Sequence, residues 1–259
     1  MMRDQFYRRP CPESKQETAI LALPMNPDQL VVGFILYVVF LLSTTCHEAA
    51  HALAAKLGGD MTAFEGGQVT LNPVPHVRRE MFGMVLMPLL VLWSTAGSSL
   101  VGWASAPYDP HWARRYPKRA AWMSLAGPAA NFTIALLAAI LMRIGLAMGI
   151  FTSGQITAHH IVSAASGDGV MEGIATLLSI FLSLNILLGC FNLLPVPPLD
   201  GWGVLPLLMS ERMAGKLQDL QMQIRGFAFI GLLIGWRLID YIYYPALRVG
   251  LKVVYLGLR

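Results

Sequence analysis

The sequence predicts an all-α polytopic membrane protein, with about 4–6 membrane helices, one of them a candidate re-entrant segment, and a small membrane-associated β-hairpin. Two observations carry this prediction. The first is a shortage of charge: 55% of the 259 residues are hydrophobic and only 13% are Asp, Glu, Lys or Arg, about half the charge of a soluble domain. The second is its distribution, since long uncharged runs alternate with short charged ones, and mean hydropathy is +0.55. So little charge, so clustered, cannot solvate a water-facing surface. A soluble enzyme, a nucleic-acid-binding protein and a disordered chain are therefore poor fits. The net charge of +4 comes from basic residues lying between apolar runs, where they set topology rather than bind nucleic acid. Cys11, Cys46 and Cys190 are odd in number and widely spaced, so neither a disulfide framework nor a CxxC metal knuckle is expected.

Five segments read as membrane material, because about 20 apolar residues span the hydrocarbon core. Residues 29–46 are uncharged and continue into a polar helical end over 47–57. Residues 81–103 are uncharged, with Pro88 inside, and residues 120–142 lie between Arg119 and Arg143. Residues 173–199 form an uncharged run between Glu172 and Asp200. Residues 226–247 are weaker, since Arg237 and Asp240 sit in their middle, three apart and able to pair on a helix. Residues 202–209 are too short to span. Residues 1–28 form a polar tail with four basic and four acidic residues, and the lack of an apolar core there predicts no cleaved signal peptide. Residues 29–259 are expected to form one membrane-embedded domain with its core over 30–201. Within 58–80, Gln68–Leu71 has modest strand character, and Gly58-Gly59 and Gly66-Gly67 suit the turns of a short hairpin.

The segment Cys46-His47-Glu48-Ala49-Ala50-His51 contains HExxH. On a helix His47 and His51 share a face and can reach one cation, with Glu48 beside them as a candidate general base. The alternative is a polar helix end with two internally satisfied histidines. The context favours the metal, because ionisable residues in an apolar membrane helix are costly and mark function. A catalytic zinc site needs a third protein ligand and an open position. Asp200 stands out as a candidate, closing the stretch Asn192-Leu193-Leu194-Pro195-Val196-Pro197-Pro198-Leu199-Asp200-Gly201. The prolines forbid regular helix there, and such backbone is tolerated at membrane depth where it lines a cavity. The alternative for Asp200 is an ordinary interfacial helix end. His111, His159 and His160 lie in loops and read as solvated.

With these residues in view, the chain resembles the site-2 proteases, zinc metalloproteases that work inside the membrane, in a short form without PDZ or CBS domains. The resemblance rests on three motifs in order: HExxH at 47–51, GPxxN at Gly127-Pro128-Ala129-Ala130-Asn131, and the Asn-to-AspGly stretch over 192–201. It covers residues 30–201. Thr70-Leu71-Asn72-Pro73 followed by His76 is similar to short bacterial and archaeal members, which often continue from the histidine into Asp-Pro, whereas Val77-Arg78 follows here. The resemblance implies one zinc ion (Zn2+) per chain held by His47, His51 and Asp200, with Glu48 as general base. It makes Asn131 and Asn192 candidates for holding the substrate backbone or oxyanion, the alternative being helix-packing hydrogen bonds. It further implies a sheet edge that pairs with an unwound substrate segment, for which the hairpin over 58–72 is the candidate.

Geometry restricts the topology. His47 and His51 lie in the C-terminal part of the first helix, and Asp200 follows the C-terminal end of the fourth segment. For the three to meet, those two helices must run in the same direction, so one of the two intervening segments should not cross. Residues 81–103, with Pro88 and Ala96-Gly97-Ser98-Ser99, are the better candidate. Lys56, Arg78, Arg79, Arg114, Arg115, Lys118 and Arg119 then share one side with Arg212, Lys216 and Arg225, while residues 144–171 hold no Lys or Arg. The positive-inside rule places that basic side, and the zinc site, at the cytoplasmic face of a cell membrane.

The function expected is that of an intramembrane zinc endopeptidase acting on a transmembrane or membrane-tethered protein in the lipid bilayer, in regulated intramembrane proteolysis. A catalytically silent relative that binds membrane segments is the first alternative, and a zinc-handling membrane protein the second. The presence of Glu48 and all three ligands weighs against the first, and the single ligand cluster weighs against the second.

Overall fold

The computed structural model of the protein describes residues 27–154, 156–223, 226 and 228–257. The polar tail expected over 1–28 lies outside them except for Pro27 and Asp28, and so does Arg225. The first apolar run and its polar end form one continuous helix, α1 (Pro27–Gly58), of 32 residues. No proline or glycine breaks the turn between the lipid-like half and the HExxH half, so the helix carries its periodicity into the site. The short helices α2 (Thr62–Glu65) and α3 (Pro73–Arg79) follow. Asn72 caps α3 by accepting from the Val74 amide, with Pro73 in the first turn where its missing N–H costs nothing.

The expected hairpin over 58–72 is not there. Gly59 and Gly67 both have positive φ, 98° and 70°, but they end α1 and the α2 turn instead of joining two strands. The antiparallel hairpin among the described residues is β1 (Phe151–Ser153) with β2 (Val162–Ala164). It is pinned to the following helix α7 (Gly169–Asn192), where Ser179 Oγ accepts from the Ile161 amide and Glu172 accepts from the Ala164 amide.

Residues 81–103 double back. A single π-helical stretch (Phe82–Leu86) leads into α4 (Met87–Ser94), after which the chain returns alongside it, the Trp103 amide donating to the Gly83 carbonyl. The two ends of the segment meet, with Arg79 Nε donating to the Ser105 carbonyl and Ser105 Oγ donating to Glu80. Its tip, Gly97, lies against Gln29 and Gly33 at the start of α1.

The short helix α5 (Pro110–Arg115) then leads into α6 (Pro117–Ala147). Among the described residues, α1, α6 and α7 are the three helices long and apolar enough to cross a membrane, and Phe82–Ser94 is a shorter apolar helix. α6 runs antiparallel to α1, with Arg119 beside Gly58, Met123 beside His51 and Asn131 beside His47. α7 runs parallel to α1, with Ile180 packed in the cluster of Leu36 and Val39 and Asn185 opposite Ser43. The parallel relation that the three ligands demand is therefore present.

α7 stops where the prolines begin. After an irregular stretch, α8 (Asp200–Val204), a 3-10 turn (Leu205–Leu208), α9 (Glu211–Gln223) and α10 (Ala228–Tyr255) complete the chain. Arg237 and Asp240 on α10 are both exposed, and no ion pair joins them among the described residues. The pairing that their spacing allows does not form. A core of Ala135, Ala139, Met142, Leu182, Ile186 and Val254 joins α6, α7 and α10.

Candidate metal centre

α1 presents His47 and His51 one turn apart, and α8 brings Asp200 onto them. His47 Nε2 and His51 Nε2 are 2.9 Å apart, and Asp200 Oδ2 lies 3.1 Å from the first and 3.3 Å from the second. These are the three side chains whose ligand atoms converge among the described residues. Asp200 reaches them because Gly201 lets α8 close onto the end of α7: a Cβ there would stand 2.2 Å from the Leu193 carbonyl oxygen.

The hydrogen bonds on the far side of each ring fix what the converging atoms are. His51 Nδ1 lies 2.7 Å from the Met123 carbonyl oxygen, which can only accept, so Nδ1 carries the proton. His47 Nδ1 lies 2.6 Å from Asn131 Oδ1, again an acceptor. A neutral imidazole that donates through Nδ1 offers a lone pair at Nε2. Asp200 Oδ2 is buried and receives no hydrogen bond. Two lone pairs and a carboxylate oxygen thus face one another with no proton donor between them, which is repulsive unless a cation sits among them. Two imidazole nitrogens and one carboxylate oxygen, with room for a fourth partner, are the donor set of a catalytic zinc site. The residues fit the metal.

The helix opposite is shaped for the same site. A Cβ on Gly127 would lie 2.4 Å from His51 Nε2 and 2.6 Å from His47 Nε2. α6 can approach the metal face of α1 only because this position has no side chain. The C-terminal end of α1 is held by two donors on its last carbonyl, Trp112 Nε1 and Arg119 Nη1, each 3.1 Å from Gly58 O.

Glu48 is 4% exposed, its Oε2 has no partner, and its ionisable neighbours are His47, His51, Asp200 and His76. Asn131 is fully buried, with its oxygen on His47 and its nitrogen donating to Asn185 Oδ1 at 2.9 Å. Asn192 is the last residue of α7, half-buried, and makes no side-chain hydrogen bond. His76 is buried on α3 and donates through Nε2 to the Thr70 carbonyl, which closes the loop before α3. His111 is exposed but lies on α5, not in a loop, and His159 and His160 are half-buried in the hairpin loop. Asn185, Ser43 and the Met123 carbonyl join the site without having been singled out in the sequence. The signal available for the first two was a polar side chain within an apolar run.

An HExxH face on one membrane-length helix, completed by a carboxylate from a second segment, defines a zinc metalloprotease built into a multi-pass membrane protein. The chain belongs to peptidase family M50, the family of the site-2 proteases, whose family model matches residues 35–234. It is 32% identical over 216 residues to a protein of Bacillus subtilis (strain 168) named "Putative zinc metalloprotease YwhC", covering 83% of this chain and 86% of that one. It is 33% identical over 187 residues to "Putative zinc metalloprotease Rip2" of Mycolicibacterium smegmatis, covering 72% of this chain and 62% of that one. No solved structure matches the chain. The protein is a zinc metalloendopeptidase that acts on peptide substrates.

Proposed function

We propose that the protein is an intramembrane endopeptidase that cuts membrane-protein substrates in or near their transmembrane segments, in regulated intramembrane proteolysis. The observation that carries this reading is the convergence of Asp200 on His47 and His51 of the membrane-length helix α1. Zinc held by these three supplies a Lewis acid that acidifies a water and polarises the scissile carbonyl. Glu48, buried beside the ligands and with an oxygen free of other partners, takes the proton of the attacking water. It then returns that proton to the leaving amine nitrogen, so that one carboxylate serves as base and then as acid. Asn192, half-buried and without a side-chain hydrogen bond, is proposed as the residue that holds the substrate backbone. Asn131 has no free polar atom and acts on His47 instead.

The zinc site is assigned to the cytoplasmic face of a cell membrane. Lys56, Arg78, Arg79, Arg114, Arg115, Lys118 and Arg119 lie at the site end of α1 and α6, whereas residues 144–171 hold no Lys or Arg. A transporter would need successive ligand sets along a path, but one set converges among the described residues. The test is cleavage of a reconstituted transmembrane substrate by wild type and by Glu48→Gln. The variant is expected to keep one zinc per chain and to lose at least about 10²-fold in rate. Equal cleavage by both would sink the mechanism.

A further inference from the structure

Zinc requires that His47 present a lone pair at Nε2, and the structure shows what enforces this. His51 donates straight to a backbone carbonyl, Met123 O, whose acceptor character no rotation can change. His47 instead donates to a side-chain amide, Asn131, which could in principle turn over and present its NH2. A reversed Asn131 would force the His47 proton onto Nε2, pointing at the metal position and blocking it.

Two further contacts forbid that reversal. Asn131 Nδ2 donates to Asn185 Oδ1 at 2.9 Å, so the orientation of Asn131 depends on that of Asn185. Asn185 Nδ2 in turn donates to Ser43 Oγ at 2.8 Å and to the Phe181 carbonyl oxygen at 2.9 Å. Phe181 O is backbone and can only accept, so Asn185 must place its NH2 there. Its oxygen must then face Asn131, whose NH2 must face back, leaving Asn131 Oδ1 on His47. Turning either amide sets two donors, or two oxygens, against each other. Ser43, Asn131 and Asn185 are all 0% exposed, so no water can relieve such a clash.

We propose that Asn185 is a positioning residue of the metal centre: anchored on the Phe181 carbonyl, it fixes the amide of Asn131 and thereby the tautomer of His47. The chain of donors runs His47 to Asn131 to Asn185 to Phe181, linking α1 and α6 to α7 at the level of the site. The proposal rests on the reading of His47 as a zinc ligand, but its first readout requires neither zinc nor cleavage. Failure of proteolysis would leave it standing.

The test is 15N spectroscopy of the histidine rings in the metal-free full-length protein, together with zinc affinity by chelator competition at fixed pH. At a pH high enough that each ring carries a single proton, His47 and His51 of wild type should both hold it on Nδ1. In Asn185→Leu, His47 should become a mixture of tautomers while His51, held by Met123, keeps its pattern, and zinc affinity should fall about 10–100-fold. Asn185→Ser, a smaller change, is read in the same way, so that misfolding of one variant does not decide the matter. Ser43→Ala removes one of the two acceptors for the same amide and should have a smaller effect than either. An unchanged His47 with unchanged affinity in both Asn185 variants would overturn the proposal. So would an equal disturbance of His47 and His51, which marks general loosening.

Discussion

Gly127 shows how closely the site depends on single atoms. Its absent side chain is what lets α6 lie against both imidazoles. Gly127→Ala places a methyl group inside the space of the two Nε2 atoms, and small-to-large changes in tight packing force the neighbours to move. The variant is expected to lose at least about 10-fold in zinc affinity while its far-UV helix signal stays intact, as metal analysis and circular dichroism would show. At this scale the sequence was informative where chemistry follows local spacing. The convergence of His47 and His51 is legible because HExxH is a helical pattern, and that of Asp200 because acids are scarce in so apolar a chain. Asn185 was not legible, since its partners Ser43 and Asn131 lie far away in sequence and no spacing encodes them. The Met123 carbonyl could not be read at all, because any residue there supplies one.

At the scale of elements, breaks were legible and pairings were not. The stop of α7 before Pro195, and the return of residues 81–103 at Gly97, follow from residues that cannot continue a helix or that permit a tight turn, whereas Pro88 sits within a helical run that continues to Ser94. The glycine pairs of 58–67 signalled turns correctly, but helix ends and strand turns use the same left-handed geometry. The hairpin over 151–164 has strands of three residues each, too short to display alternation.

Asp60 ties these connecting elements together. It accepts from the Thr62 amide and hydroxyl and from the Asp109 amide, joining the end of α1 to the start of α5. Burial pushes its carboxyl up, and the three hydrogen bonds outweigh that and hold it below the usual carboxylate range. A lowered folded value stabilises the fold above the unfolded pKa, and that contribution is lost as pH falls through the folded one. Asp60→Asn, which leaves at least one of these donors unsatisfied, is expected to cost about 1–3 kcal/mol. Thermal unfolding should show the full deficit near neutral pH, shrinking below about pH 4.

At the scale of the whole molecule, the parallel course of α1 and α7 is the condition that lets Asp200 meet the HExxH face. The doubling back of residues 81–103 makes it possible with α6 as the one full-length helix in between. Single cysteines placed at Arg78 and Arg114 in a background lacking Cys11, Cys46 and Cys190 should label from the same side of the membrane, and one at Thr157 from the other. Labelling of positions 78 and 114 from opposite sides would overturn the topology. The central claim is that one zinc ion sits between two imidazoles and the Asp200 carboxylate. X-ray absorption at the zinc edge of the purified protein tests it most directly. One zinc per chain, with two imidazole nitrogens and light oxygen donors at about 2.0–2.2 Å, and loss of that shell in Asp200→Ala, is the result the geometry predicts. A protein without zinc, or a zinc shell lacking imidazole and unchanged by that substitution, would contradict it.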